Sequence, residues 1–261
     1  MRLKQAVNAG LARAGYAIVR TERLAAMKPR RATRPKRALA AHMDEPARRT
    51  IQAVRPRTMT ADDKLFALIV ATRYVVDHGI PGAFVECGVW RGGSQQAVAY
   101  TLLERGVTDR DLHLFDTFTG MPQPTEKDRR YDGRPAVELL ERTDKTAKVW
   151  AVAGLEDVRS GMAETGYPPE RIHFHPGRVE QTIPAAAPAQ IAILRLDTDW
   201  YASTLHELEH LYDRVPSGGV LFFDDYGYWA GAREAVDEFL ARTGARLLLA
   251  PMASGRFAVK P

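Results

Sequence analysis

Four aspartates stand as two close pairs, Asp197 and Asp199 in Leu196-Asp-Thr-Asp-Trp-Tyr201 and the adjacent Asp224 and Asp225 in Val220-Leu-Phe-Phe-Asp-Asp-Tyr226. Each pair closes a short apolar run, Ile191 to Leu196 and Val220 to Phe223. That is the pattern of a buried parallel strand whose chain then leaves for a loop. Carboxylates gathered at neighbouring strand ends repel one another and raise each other's pKa unless a cation lies between them. A donor set made only of oxygens suits Mg2+, Ca2+ or Mn2+ better than zinc. The plainer alternative is that some of the four cap helices or face water from loops.

A second constellation lies upstream, in Phe84-Val-Glu-Cys-Gly-Val-Trp-Arg-Gly-Gly-Ser94. Gly88, Gly92 and Gly93 let the backbone turn tightly and bring its amides close to a ligand. Glu86 precedes the turn, and Asp116 ends the next apolar run, where a carboxylate can accept both hydroxyls of a ribose. The glycines do not follow G-x-G-x-x-G, so a nucleoside without phosphates fits better than a dinucleotide. Glycines serving only helix-sheet packing are the alternative.

The elements that must position these residues alternate between strand and helix signals from residue 60 onward. Strands are expected at Ala83 to Cys87, Leu112 to Phe115, Ile172 to Phe174, Ile191 to Leu196 and Gly219 to Phe223. Helices are expected at Asp62 to His78, Ser94 to Arg105, Asp157 to Thr165, Ser203 to Arg214 and Ala232 to Arg242. The segments Ala245 to Leu249 and Arg256 to Val259 read as a closing antiparallel hairpin. The expected fold is α/β, a doubly wound, mostly parallel seven-stranded sheet.

Charge is divided unevenly. Residues 1–57 hold fifteen of the 37 Lys and Arg but only Glu22, Asp44 and Glu45 of the 32 acids, a net +12 that leaves −7 for the rest of a chain whose total is +5. Two domains are therefore expected: a basic arm over 1–57, helical from Leu3 to Val19 and then a proline-interrupted linker, and a catalytic domain over 58–261. The arm lacks interleaved aromatics and any recognisable nucleic-acid module, which argues against a specific nucleic-acid partner. No apolar stretch is long enough to span a bilayer and the first residues lack the pattern of a secretory signal, so a soluble, cytoplasmic protein is expected. A single cysteine, Cys87, excludes an internal disulfide framework and reads as a small packed thiol.

Some motifs mislead. His206-Glu-Leu-Glu-His210 matches the zinc-protease H-E-x-x-H pattern, but Tyr201, Leu205, Leu208, Leu211 and Tyr212 form the apolar stripe and the two histidines project from nearly the opposite side, toward water. His113 reads as packed in its strand. Trp200, Trp229 and Tyr226 could stack on a sugar or its aglycone or simply fill the core. The polar loop Asp128 to Arg134 could cap an acceptor or remain a surface loop.

Taken in order, Val85-Glu-Cys-Gly-Val-Trp-Arg-Gly-Gly-Ser94, Phe115-Asp-Thr-Phe-Thr-Gly-Met-Pro122, Leu196-Asp-Thr-Asp-Trp-Tyr201 and Ser217-Gly-Gly-Val-Leu-Phe-Phe-Asp-Asp-Tyr-Gly227 resemble the macrocin O-methyltransferase family. Arg57-Thr-Met-Thr60 and Trp229-Ala-Gly-Ala-Arg-Glu-Ala-Val-Asp-Glu-Phe239 extend the likeness to roughly residues 56 to 245, with the basic arm outside it. The resemblance implies a class I, Rossmann-like methyltransferase using S-adenosylmethionine and Mg2+ in antibiotic sugar tailoring, and a homodimer. It implies that Glu86, Gly88 and Ser94 hold the methionine portion of the cofactor and that Asp116 takes the ribose. His175-Pro-Gly-Arg178, with Gly177 and Arg178, would lie near the adenine, and Thr58, Met59 and Thr60 would close over the site. Asp197, Asp224 and Asp225 would bind the metal.

The expected reaction is methyl transfer to a hydroxyl of a sugar in a glycosylated natural product or glycolipid. A sugar hydroxyl is a poor nucleophile near neutral pH; a cation stabilises its alkoxide and a carboxylate takes the proton. Asp197 and Asp199 are the candidate bases, with Asp197 favoured as both ligand and base. The alternatives are a catechol-type aromatic O-methyltransferase, which would use the same two-oxygen chelation, and a non-catalytic nucleotide- or polyanion-binding protein acting through the basic arm.

Overall fold

The computed structural model describes residues 39–144 and 147–261. The expected helix from Leu3 to Val19 and the linker after it lie outside the described residues. The compact unit that holds the sheet runs from Ala41 to Pro261, so it begins well before the boundary expected between residues 57 and 58. The reason is helix α1, Glu45–Val54, which sequence reading had merged into the arm. Asp44 caps it by accepting the Ala47 N–H at 2.9 Å, and Ala47, Thr50, Ile51 and Val54 bury one face at helical spacing. The 3-10 turn Arg55–Arg57 then leads toward α2, Asp62–Asp77.

From there the chain alternates: β1 Ala83–Cys87, α3 Gly93–Glu104, β2 Leu112–Asp116, α4 Ala136–Glu141, α5 Leu155–Ala163, β3 Ile172–Pro176, α6 Val179–Thr182, β4 Ile191–Leu196, α7 Tyr201–Leu211, β5 Val220–Phe223, α8 Ala230–Thr243, β6 Ala250–Met252 and β7 Gly255–Val259. The seven strands form one sheet in the order β3-β2-β1-β4-β5-β7-β6. β1 to β5 pair in parallel, and β7 runs antiparallel to both β5 and β6. The order reverses between β1 and β4, and an open α/β sheet opens a crevice at the carboxyl ends of such a pair.

The two faces are read off by period-two alternation. Phe84, Leu114, Ile193 and Phe222 pack with α2, α3 and α5 through Leu68, Val75, Leu102, Val158 and Met162. Val85, Phe115, Leu194 and Leu221 pack on the other side with α7 and α8 through Leu208, Leu211, Val236 and Phe239.

The closing hairpin differs from expectation. Residues 245–249 form no strand; β6 starts at Ala250 and pairs Ala250 with Phe257 and Met252 with Gly255 across a turn at Ala253 and Ser254. Tight hairpins pair from the residues beside the turn outward, and the Leu247-Leu248-Leu249 run lies outside that register. Leu247 and Leu249 instead pack on the second core face while Leu248 is 86% exposed.

Gly88 sets the distance between β1 and β4. Its φ is +82°, and a Cβ there would overlap the carbonyl oxygen of Asp197. Gly88→Ala combines positive-φ strain with a clash against backbone, and is expected to lower unfolding free energy by about 3 kcal/mol or more in urea titration. Gly79→Ala is the comparison: φ is +62° but no atom lies within 4 Å, so only the conformational cost of about 1–2 kcal/mol should appear.

Candidate active site

The acids meet because β4 and β5 are in register. Leu196 pairs with Phe223, so the chain leaves both strands at one level, and Asp224 N–H donates to Leu196 O at 3.0 Å. One carboxylate oxygen each from Asp197, Asp224 and Asp225 lies within 4.8 Å of the others. Strand β4 stops before Asp197, and Asp199 follows at φ +67°, so the pair is not arranged by strand alternation. Asp199 reaches the cluster through a turn: its N–H donates to Asp225 Oδ2 at 3.0 Å, and its carboxylate accepts the indole N–H of Trp229.

Burial raises the pKa of Asp197 and Asp225 well above the carboxylate range, and neighbouring acids add to it. Asp199 is pushed up to about 7 by burial and then by Asp197. Asp224 goes the other way: burial raises it, but Arg195 and Lys64 outweigh that and its pKa is lowered. Those two are the Lys and Arg residues among the described ones that are buried. Arg195, within β4, donates to Asp224 Oδ1 at 2.6 Å, lies 2.8 Å from Asp197 Oδ2 and pairs with Glu86 on β1. Lys64, in the first turn of α2, donates to the Asp224 backbone oxygen at 2.9 Å and to its carboxylate. Sequence reading missed both, although an arginine inside the apolar run Ile191–Leu196 was a visible signal, since charged residues are almost never buried unless paired. The three acids outnumber these two cations and offer an all-oxygen donor set, which suits a hard divalent cation whose charge would draw the raised pKa values back down.

On the other side of the same space lies the glycine turn. Glu86 is 1% exposed; one oxygen meets Arg195, while Oε2 has no partner. Burial raises its pKa to about 7 against the pull of Arg195. A buried carboxylate oxygen left open is the complement of a ligand ammonium. Gly93 is required for another reason than ligand approach: a Cβ there would lie 2.6 Å from Arg57 O and 2.7 Å from Thr58 Cβ. Its absence lets residues 57–60 cross the start of α3, where Thr60 Oγ1 sits 3.3 Å from Ser94 Oγ. Asp116 is already engaged: Oδ2 accepts the N–H groups of Val89 and Trp90 at 2.8 and 3.0 Å, and Oδ1 that of Phe118 at 2.7 Å. It organises the turn, including Trp90 at φ 47°, which uses both lone pairs of Oδ2 and one of Oδ1 and leaves one on Oδ1 for a ligand.

Thr58, Met59, Thr60, Glu86, Gly88, Ser94, Asp116, Gly177 and Arg178 all line one cavity of about 550 Å³, together with Asp197, Asp199, Asp224 and Asp225. Trp200 and Trp229, 3% and 4% exposed, are core residues; Trp229 also borders the cavity, beside Tyr228. Asp128 is wholly buried and accepts the Tyr201 N–H at 2.8 Å, so this end of the 128–134 loop is pinned. His206 and His210 do not face open water: both are half-buried, with a ring nitrogen of His206 3.0 Å from Ile183 O and one of His210 2.8 Å from His206 O. His113 stacks among His173, His175 and Phe115, as a packed strand residue.

Comparison with known proteins accords with this geometry. The sequence model of the macrocin-O-methyltransferase (TylF) family matches residues 6–253, wider than the 56–245 first recognised and including most of the basic arm. The chain is 35% identical over 187 residues to the 8-demethyl-8-(2,3-dimethoxy-alpha-L-rhamnosyl)-tetracenomycin-C 4'-O-methyltransferase of Streptomyces olivaceus, covering 72% of this chain and 69% of that one. It is 33% identical over 187 residues to the mycinamicin III 3''-O-methyltransferase of Micromonospora griseorubida, covering 72% and 71%. The O-methyltransferase NovP superposes with TM-score 0.69 at 30% identity, covering 78% of this chain and 82% of that one. The calicheamicin methyltransferase CalS11, at TM-score 0.57 and 22% identity over 82% and 91%, shares the fold. The chain belongs to the macrocin-O-methyltransferase family and is a class I O-methyltransferase.

Proposed function

We propose that this enzyme transfers the methyl group of S-adenosylmethionine to a hydroxyl on the sugar of a glycosylated natural product or glycolipid, with Mg2+ held by Asp197, Asp224 and Asp225. The observation that carries the reading is a single cavity with two unlike walls: three acids whose oxygens lie within 4.8 Å, and a buried Glu86 whose Oε2 has no partner. One relative named above is called a 4'-O-methyltransferase of a rhamnosyl-tetracenomycin, which supports a glycoside as the acceptor here.

S-adenosylmethionine supplies an electrophilic sulfonium methyl. The unpartnered oxygen of Glu86 would receive its ammonium and Asp116 a ribose hydroxyl; Gly177 and Arg178 would border the adenine, and Thr58 to Thr60 would form the covering wall. A divalent cation supplies Lewis acidity, which lowers the pKa of hydroxyl groups beside it. Asp197 orients the acceptor and takes its hydroxyl proton. Asp199, which accepts from Trp229 and donates its N–H to Asp225, is the competing base or a support that fixes Asp225. Ser94, Glu86 and the acids align oxygen, methyl carbon and sulfur. A homodimer working in the cytoplasm completes the proposal; buried Cys87 fits a reducing compartment.

The test is calorimetric titration with S-adenosylhomocysteine, with and without Mg2+, and NAD as control. Binding of S-adenosylhomocysteine alone supports the reading; binding of NAD or of neither overturns it. Asp225→Asn should abolish Mg2+ binding and methylation of a glycoside panel while leaving S-adenosylhomocysteine affinity within a few-fold. Full activity in the presence of EDTA would refute the metal role. Asp224 is the poorer probe, because removing it takes the carboxylate partner of buried Lys64, at a cost of about 3–5 kcal/mol. Glu86→Gln should weaken S-adenosylhomocysteine by about tenfold or more, through loss of a charged hydrogen bond, with Mg2+ binding retained.

A further inference from the structure

The acid cluster carries cations of its own. Both carboxylate oxygens of Asp224 are taken by charged donors of this chain, Oδ1 by Arg195 at 2.6 Å and Oδ2 by Lys64. Arg195 also lies 2.8 Å from Asp197 Oδ2 and donates to Thr60 Oγ1 at 3.1 Å. Asp225 differs: its Oδ2 accepts an uncharged backbone N–H, that of Asp199. The side chains of Lys64, Arg195 and Asp224 are 8%, 4% and 8% exposed, so water screens little of what passes between them. A carboxylate oxygen with one donor retains a second lone pair, but a second cation brought to it is repelled by the first. Mg2+ also demands near-octahedral geometry at about 2.0–2.1 Å, and an oxygen aimed at a guanidinium must turn to meet it.

We propose that Lys64 and Arg195 are resident counter-cations of the metal site, which hold Asp197 and Asp224 in place while no metal is bound and which a divalent cation must partly displace on entering. This rests on the metal reading above. It makes them positioning residues that weaken metal affinity in exchange for an ordered metal-free site. Buried carboxylates without a partner would otherwise be left to protonate or to spread apart. The displacement reaches the cofactor wall, because Arg195 grips Thr60 and Lys64 begins the helix that follows residues 58–61.

Calorimetric titration of Mg2+ alone into wild type, Lys64→Met and Lys64→Arg decides the matter, in a buffer alkaline enough to keep the carboxylates ionised. Methionine keeps the apolar stem and removes the charge. Lys64→Met should bind Mg2+ about tenfold or more tightly than wild type, and Lys64→Arg should stay close to wild type. Added Mg2+ should also raise the melting temperature of Lys64→Met by more than that of wild type. Unchanged or weaker Mg2+ binding in Lys64→Met overturns the inference and leaves Lys64 a support that shapes Asp224 for ligation. If Lys64→Met does not fold, Lys64→Gln, neutral and still able to donate to Asp224, carries the same expectation. A wild type that binds no Mg2+ overturns the metal reading and this inference together, whereas equal binding by wild type and Lys64→Met overturns this inference alone.

Discussion

Desolvated negative charge is the constraint around which this molecule is arranged. Glu86, Asp197, Asp199, Asp224 and Asp225 line one cavity at the carboxyl edge of the sheet, and such groups are tolerated away from water only when paired. Arg195 answers most of that demand from the penultimate residue of buried β4, touching acids on β1, after β4 and after β5 at once. A guanidinium suits the task because its donors form a planar fork and its charge does not titrate. Burying it in turn requires those acids, so the strands and the site stabilise each other.

The topology turns this charge pattern into a place for chemistry. β1 and β4 are neighbours in the sheet although two further strands separate them in sequence, which brings the glycine turn beside Asp197. Gly88 then lets the two exits approach until backbone meets backbone. The glycine-turn side and the acid side are thus two exits of adjacent strands, joined by Arg195 and roofed by residues 57–60. That roof depends on Gly93 in the same way that the floor depends on Gly88.

Asp116 shows how one residue serves structure and ligand together. Its three backbone N–H bonds hold the loop after β1 in a shape that includes a tryptophan at positive φ. A carboxylate at the end of β2 reads in sequence as a ribose acceptor; in the fold it is first the clamp that forms the surface a ribose would meet. Similarly, Trp229 reads in sequence as either a stacking surface or a core residue; in the fold it is 4% exposed at the border of the cavity, and its N–H is spent on Asp199.

The packing of the helices decided which face each strand residue takes; short apolar runs located the five parallel strands, because burial on both sides leaves little choice of residue. The acids and the glycine turn were legible for the same reason: charge and glycine at strand exits are costly unless used. The hairpin start at Ala250, the membership of α1 in the compact unit and the pinning of Asp128 were not legible, since each depends on a partner distant in the chain. Sequence by itself determined the fold class, the family and the acids and glycine turn that line the cavity, through local pattern and ordered motifs. Only the tertiary structure decided which acids are paired and which oxygens are left open, because the charge state of a carboxylate is set by what surrounds it in space. Lys64, 160 positions from Asp224, is the clearest instance.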